Sequence, residues 1–141
     1  MVEARVAEPA PDLQAQLESL RASEESYRTI FQLATDAMFL HDPETGDIVE
    51  ANQQACQLLG CSRDDLRTNG LARISGGESP YDEGRALDLI RRAGTGEPQR
   101  FEWRLRTPAG EEAWVEVKLQ RIAIRGRSRV LATVRDINER R

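Results

Sequence analysis

An α+β fold, with one five-stranded antiparallel sheet, helices on a single face and an amphipathic N-terminal flanking helix, is what this chain of 141 residues predicts. Three observations carry that reading. A short apolar hairpin opens the middle of the chain, a run of capped amphipathic helices follows it, and three alternating strands fill the last third. Strands and helices are grouped rather than interleaved one for one, which points to an antiparallel sheet and away from a parallel α/β core.

The elements follow in order. Residues 1–9 are polar and unpatterned and read as disordered or tag-like. Over 10–31 the apolar positions Leu13, Leu17, Leu20, Tyr27 and Phe31 recur at spacings of four and three, with Glu24 interrupting. That is the seam of a coiled coil or of a helix lying on a flat partner. Packing on its own domain fits equally, and Ser23-Glu24-Glu25 allows a second helix start, so one helix or two stays open.

Ala37-Met38-Phe39-Leu40 reads as a buried strand, Asp42-Pro43-Glu44-Thr45-Gly46 as a turn, and Ile48-Val49-Glu50-Ala51 as the return strand. Asn52 caps a short helix with Ala55, Leu58 and Leu59 on one face, and Gly60 stops it. Ser62-Arg63-Asp64-Asp65 opens one further helical turn, and residues 67–79 read as loop with short helical pieces. Ser79-Pro80-Tyr81-Asp82 predicts a helix start with proline at the first helical position. That helix puts Ala86, Leu89, Ile90 and Ala93 on one side, Leu87 flanking, and ends at Gly94.

Phe101, Trp103 and Leu105 then alternate with Glu102, Arg104 and Arg106. Thr107-Pro108-Ala109-Gly110 turns the chain, and Val115, Val117 and Leu119 share a face opposite Trp114, Glu116, Lys118 and Gln120. Ile122 and Ile124 fall on Trp114's parity, and a bulge would move them to the core face. After Gly126 a last strand runs to about residue 137, and its exposed face, with Trp114, calls for cover by the N-terminal helix. Asp136-Ile137-Asn138-Glu139-Arg140-Arg141 reads as the first turn of a continuing helix, with Asn138 as N-cap and Glu139 at the positive helix end. A strand that runs straight into such a turn marks a connecting module.

Composition narrows the functional classes. Net charge is −4 with both signs interspersed, so no nucleic-acid footprint is present. No apolar run approaches the ~20 residues of a membrane span, and Met1-Val2-Glu3-Ala4-Arg5 lacks the start of a signal peptide, so no membrane contact is expected and the chain reads as cytoplasmic. Cys56 and Cys61 with one histidine fall short of a structural zinc site, so no metal site is expected. No nucleophile or acid–base pair is readable, so no catalytic residue is assigned and the chain reads as a non-enzyme. His41, at the end of the first strand, reads as a turn or surface residue.

Several segments resemble a PAS domain, the sensor module of bacterial signalling proteins such as histidine kinases and diguanylate cyclases. Ser26-Tyr27-Arg28-Thr29-Ile30-Phe31 is similar to that family's first helix, and Gly46-Asp47-Ile48-Val49-Glu50-Ala51-Asn52 through Leu58-Leu59-Gly60 to its second strand and next helix. Gly96-Glu97-Pro98, the strand with Glu102 and Arg104, and Gly110 to Trp114-Val115 resemble its central hairpin. Asp136-Ile137-Asn138 resembles its terminal Asp-Ile-Thr, with Asn138 in place of threonine.

The resemblance covers about Ser23 to Arg141 and divides the chain into a flanking helix at 10–31, a PAS core at 32–137 and a linker-helix start at 138–141. It implies a sheet cradling a small pocket, a homodimer through the flanking helix and a downstream output domain in the same chain, a histidine kinase or diguanylate cyclase. Asp136, Ile137 and Asn138 would relay the signal. The Asn-Cys-Arg-Phe-Leu-Gln segment of flavin-binding light sensors is missing, and the helix from Tyr81 to Gly94 lacks the haem-ligating histidine, with Arg85 near that place. No cofactor is therefore expected, while a non-covalent flavin or a small metabolite stays open.

Met38, Ile74, Leu87, Ile90, Leu105 and Thr133 are the expected pocket lining, and each would serve equally as plain core. Trp103 and Trp114 read as sheet-packing aromatics, with stacking on a flavin as the alternative, and Arg91 and Arg104 are candidate partners for an anionic ligand. Three functions remain in view: a sensory and dimerisation module, a ligand-free dimerisation scaffold, and an enzyme or carrier on a similar fold.

Overall fold

A computed structural model describes residues 28–138, together with Ala15 and Glu25. The chain divides into two compact units, 1–33 and 34–141. In the first, residues 28–33 are helical, with Phe31 buried and Ile30 and Leu33 exposed. Leu13, Leu17, Leu20 and Tyr27, the segment 1–9 and residues 139–141 lie outside the described residues, and with them the question of one helix or two.

The second unit is built on strands β1 (Ala37–His41), β2 (Ile48–Ala51), β3 (Gln99–Arg106), β4 (Glu112–Ile124) and β5 (Arg127–Asp136). They form one antiparallel sheet in the order β2-β1-β5-β4-β3, so the first and last strands of the unit meet at its centre. Between β2 and β3 the chain forms α1 (Gln53–Leu59), α2 (Arg63–Asn69), α3 (Leu71–Ile74) and α4 (Glu83–Gly94). Ala55, Leu59, Leu66, Ala86, Leu89, Ile90 and Ala93 from these helices join Phe39, Trp103, Leu105, Val115, Val117, Leu119, Ala132 and Val134 in a single core, so the helices cover one face.

Local chemistry explains the joints. Asn52 Oδ1 accepts from Ala55 N at 2.9 Å as the α1 cap and from Met38 N at 3.0 Å, while its Nδ2 donates to Asp36 O at 3.1 Å. One fully buried amide thus binds the start of β1 to the start of α1. Gly60 ends α1 in the left-handed conformation at φ 68°, where a side chain would be strained. At Gly76 an added Cβ would collide with the Arg104 carbonyl oxygen, so only glycine lets the 75–81 loop close on the edge strand β3.

Three local expectations change. Helix α2 runs for seven residues rather than one turn, capped by Ser62 Oγ on Asp65 N and anchored by buried Leu66. Helix α4 starts at Glu83, not at Pro80: Asp82 is the cap, accepting from Arg85 N at 2.9 Å, and Pro80 sits in the preceding turn. No bulge shifts Ile122 and Ile124. The β4–β5 ladder runs unbroken from Val115↔Asp136 to Ile124↔Arg127, and Arg125-Gly126, both at positive φ, closes it as a two-residue hairpin. Both isoleucines therefore stay half-buried on Trp114's face.

Candidate functional site

A cavity of about 40 Å³ lies between α4 and the sheet. Ala86 and Ile90 of α4 and Ile74 of α3 bound it from the helical side. Phe101, Trp103 and Leu105 of β3, Val115, Val117 and Leu119 of β4, and Ala132 and Val134 of β5 form its floor, and Phe39 and His41 of β1 close one end. That exceeds the roughly 10–15 Å³ that one water needs.

Of the expected lining residues, Ile74, Ile90 and Leu105 face this cavity and Met38, Leu87 and Thr133 do not. Met38 and Thr133 are cross-strand partners, and the period of two puts them on the opposite face from the paired Phe39 and Ala132. Leu87 leans instead towards the β1–β2 turn, its Cδ1 3.0 Å from where a Cβ on Gly46 would lie.

His41 corrects the sequence reading most. It is buried, 1% exposed, on the inward parity of Ala37 and Phe39. Its Nδ1 lies 2.9 Å from Gly46 O, and since a carbonyl only accepts, Nδ1 carries the proton and donates. Burial pushes its pKa down to about 4 against the weaker upward pulls of the Gly46 hydrogen bond and the Asp47 charge, so the ring is neutral near pH 7. Strand parity, which puts His41 on the side of Ala37 and Phe39, is the signal that finds it.

The tryptophans take separate places. Trp103 is core, and its Nε1 donates to Ile74 O at 2.8 Å, which fastens α3 to β3. Trp114 lies on the other sheet face, and Tyr81 meets both indoles edge-on with centroids 5.5 Å apart. Arg104 stacks its guanidinium 5.2 Å from the Tyr81 centroid and has Glu112 and Glu78 within 3.7 and 3.9 Å, away from the cavity. Arg91 is exposed and donates to Glu44 O at 2.9 Å, and Arg85 pairs with Asp88 at 3.0 Å. None of these three cations reaches the cavity. Cys56 and Cys61 are half-buried, and burial, ahead of the nearby Asp65, pushes the Cys61 thiol up. Among the described residues no cluster of three metal-capable side chains occurs.

The end of β5 is a second candidate. Ile137 is buried and its N donates to Trp114 O at 3.0 Å. Asn138 Oδ1 accepts from Trp114 N at 2.8 Å, and Asn138 N donates to Asp136 Oδ1 at 2.8 Å. Asn138 thus spends its carbonyl on a residue 24 positions away, and the turn it was expected to cap lies outside the described residues. Asp136, Ile137 and Asn138 together clip the chain's exit to β4 beside the cavity-lining Val115.

A family model for the PAS domain matches residues 35–139. Among solved structures, the chain is similar to the PAS domain of an HTR-like protein from Haloarcula marismortui, with a TM-score of 0.70 and 23% identity over 88% of this chain and 99% of that one. It is similar to a domain of a sensory box sensor histidine kinase/response regulator from Geobacter sulfurreducens, with a TM-score of 0.67 and 28% identity over 81% and 94% of the two chains. The PAS domain of nitrogen regulation protein NR(II) from Vibrio parahaemolyticus shares the fold at a TM-score of 0.62 and 19% identity, over 77% and 95%. No curated protein matches the chain.

Proposed function

The chain belongs to the PAS domain family, and on that premise we propose that it is the sensory and dimerisation module of a larger signalling protein, passing ligand or partner state to an output domain that follows it. A histidine kinase is the favoured output and a diguanylate cyclase the next. The likeness to a domain of a sensor histidine kinase/response regulator supports the first. PAS domains sense rather than catalyse, and the module takes no catalytic role in this reading. A homodimer through Leu13, Leu17, Leu20, Tyr27 and Phe31 is part of it, supported by their spacing of four and three. So is a cytoplasmic site, to which the described residues add only that no helix among them is long and apolar enough to cross a membrane.

The observation that carries the reading is the clip at the end of β5. Trp114 offers both its N–H and its C=O to residues 138 and 137, and its neighbour Val115 lines the cavity. A change in core packing at β4 therefore bears directly on the direction in which the chain leaves. Asp136→Ala removes the carboxylate that holds Asn138 N and should abolish the signal response of the full-length protein. The fold should survive, because Asp136 is exposed and one such bond contributes only about 1 kcal/mol. A normal response in that variant overturns the relay assignment.

The size of the cavity favours a second reading, a scaffold that sets dimer geometry without binding a ligand. A resident chromophore is outside this proposal. Native mass spectrometry with an absorbance scan separates the two. A bound mass or a visible band marks a loaded sensor, and a bare dimer favours the scaffold.

A further inference from the structure

Strands β4 and β5 outrun the sheet that holds them. The β3–β4 ladder stops at Gln99↔Leu119 and the β1–β5 ladder at His41↔Val130, while β4 and β5 stay paired out to Ile124↔Arg127. Among the described residues, 120–129 therefore form a two-stranded ribbon with no strand beside either edge, and the edge N–H and C=O groups can take a further strand. The ribbon carries Arg121, Arg125, Arg127 and Arg129 and no carboxylate, on a chain whose net charge is −4. Arg129 is half-buried and lies 3.7 Å from Asp42 at the ribbon's base, whereas Arg121, Arg125 and Arg127 are exposed. Arg121 Nε donates to Ser128 Oγ at 3.1 Å, which steadies the guanidinium across the ribbon. Arg125 opens the hairpin turn at φ 54°, a left-handed position that glycine or asparagine fills more readily. Half-buried Ile122 and Ile124 share a face with their cross-strand partners Arg129 and Arg127.

We infer that the β4 edge of this ribbon, residues 120–124, docks a short acidic segment of another protein, which adds to it as a further strand. Period-two alternation fixes the chemistry of that segment. Arg121 lies on one side of the edge and Ile122 and Ile124 on the other, so a segment that fits alternates carboxylates with apolar residues. Arginine's planar fork suits a carboxylate, and Arg125 and Arg127 extend the positive field at the tip. The partner is short because the β1–β2 turn, with Asp42, Glu44 and Asp47, leaves β1 at His41, opposite Val130, and so lies beside the ribbon's base. A nucleic-acid duplex or an anionic bilayer would meet those carboxylates as well, and a short segment does not. The inference goes beyond the sensor reading and uses neither the cavity nor the clip at the end of β5.

The purified protein, labelled with ¹⁵N, is titrated at low and at high salt with a synthetic peptide alternating glutamate and valine. Expected are saturable amide shifts centred on residues 120–125, weaker binding at high salt, and no saturable shift with a peptide alternating lysine and valine. Arg121→Glu should weaken the acidic peptide roughly tenfold, the order of one charge-assisted hydrogen bond, with the far-ultraviolet spectrum unchanged. If that variant folds poorly, the wild-type shift map decides the question. No saturable shift with the acidic peptide, or shifts centred elsewhere, overturn the proposal. Random-sequence duplex DNA or phosphatidylglycerol vesicles that move the same amides at equal or lower concentration overturn the choice of partner. Salt-sensitive self-association of the protein alone through those amides overturns it in favour of a second copy of this chain.

Discussion

A neutral imidazole enclosed in hydrocarbon makes His41 the side chain whose ionisation matters most to this fold. Its folded pKa of about 4 lies below the ordinary 6.5, so between those values the unfolded chain binds a proton that the folded chain excludes. The resulting stability is fully present above about pH 6.5 and is lost as pH falls towards 4. At roughly 1.4 kcal/mol per unit, the loss is about 3 kcal/mol. The Asp42 carboxylate acts below that window, because the Thr45 and Glu44 N–H groups hold it under its usual value. Urea unfolding at pH 7 and pH 4.5 should show a marked drop for the native protein and a much flatter profile for His41→Phe. Equal slopes would mean that His41 is not the group that titrates. Parity along β1 could have placed this residue inward, since Ala37, Phe39 and His41 all share a face. The turn residues next to it, Asp42-Pro43, spoke for the surface instead and concealed that signal.

Among the elements, the caps were the most legible feature. Asn52, Gly60 and Ser62 act where the sequence places them, because a cap is satisfied within three or four residues of itself. Asn52 reaches further, since its amide also binds Met38 N and Asp36 O across 14 and 16 positions. Asn52→Ala should therefore cost more than an ordinary cap, about 3 kcal/mol by urea unfolding, because Met38 N and Asp36 O lose their partner along with the helix. A loss below about 1 kcal/mol would show the β1 bonds to be dispensable. The start of α4 was misplaced by three residues. Proline suits a first turn as well as a loop, and only the Asp82–Arg85 bond settles which it serves.

At the scale of the molecule, the packing of α4 on the sheet leaves a void, and its use by the protein is testable without knowing the ligand. Ala132 lines that void from the central strand β5. Ala132→Val adds two methyl groups to it and suits a strand, so stability should rise by about 1 kcal/mol. The same change should weaken the signal response of the full-length protein, because the occupied cavity no longer admits a ligand. A filled, stabilised variant that signals normally would move the function to the scaffold or to partner contact.

Element order, the antiparallel character of the sheet, the single helical face and the PAS family were all determined by the sequence alone. The first three depend on periodicity and on caps and turns, which act over a few residues, and the family on a resemblance of motifs. Tertiary structure decided which face each apolar residue serves. Phe39 and Leu40 are both buried, so β1 offers no clean alternation, and a one-residue slip sends Met38 and Thr133 to the wrong side. It also decided that Asn138 clips the exit to Trp114 and that His41 ends a cavity, because both depend on partners brought together by strand pairing and by the β1–β2 turn.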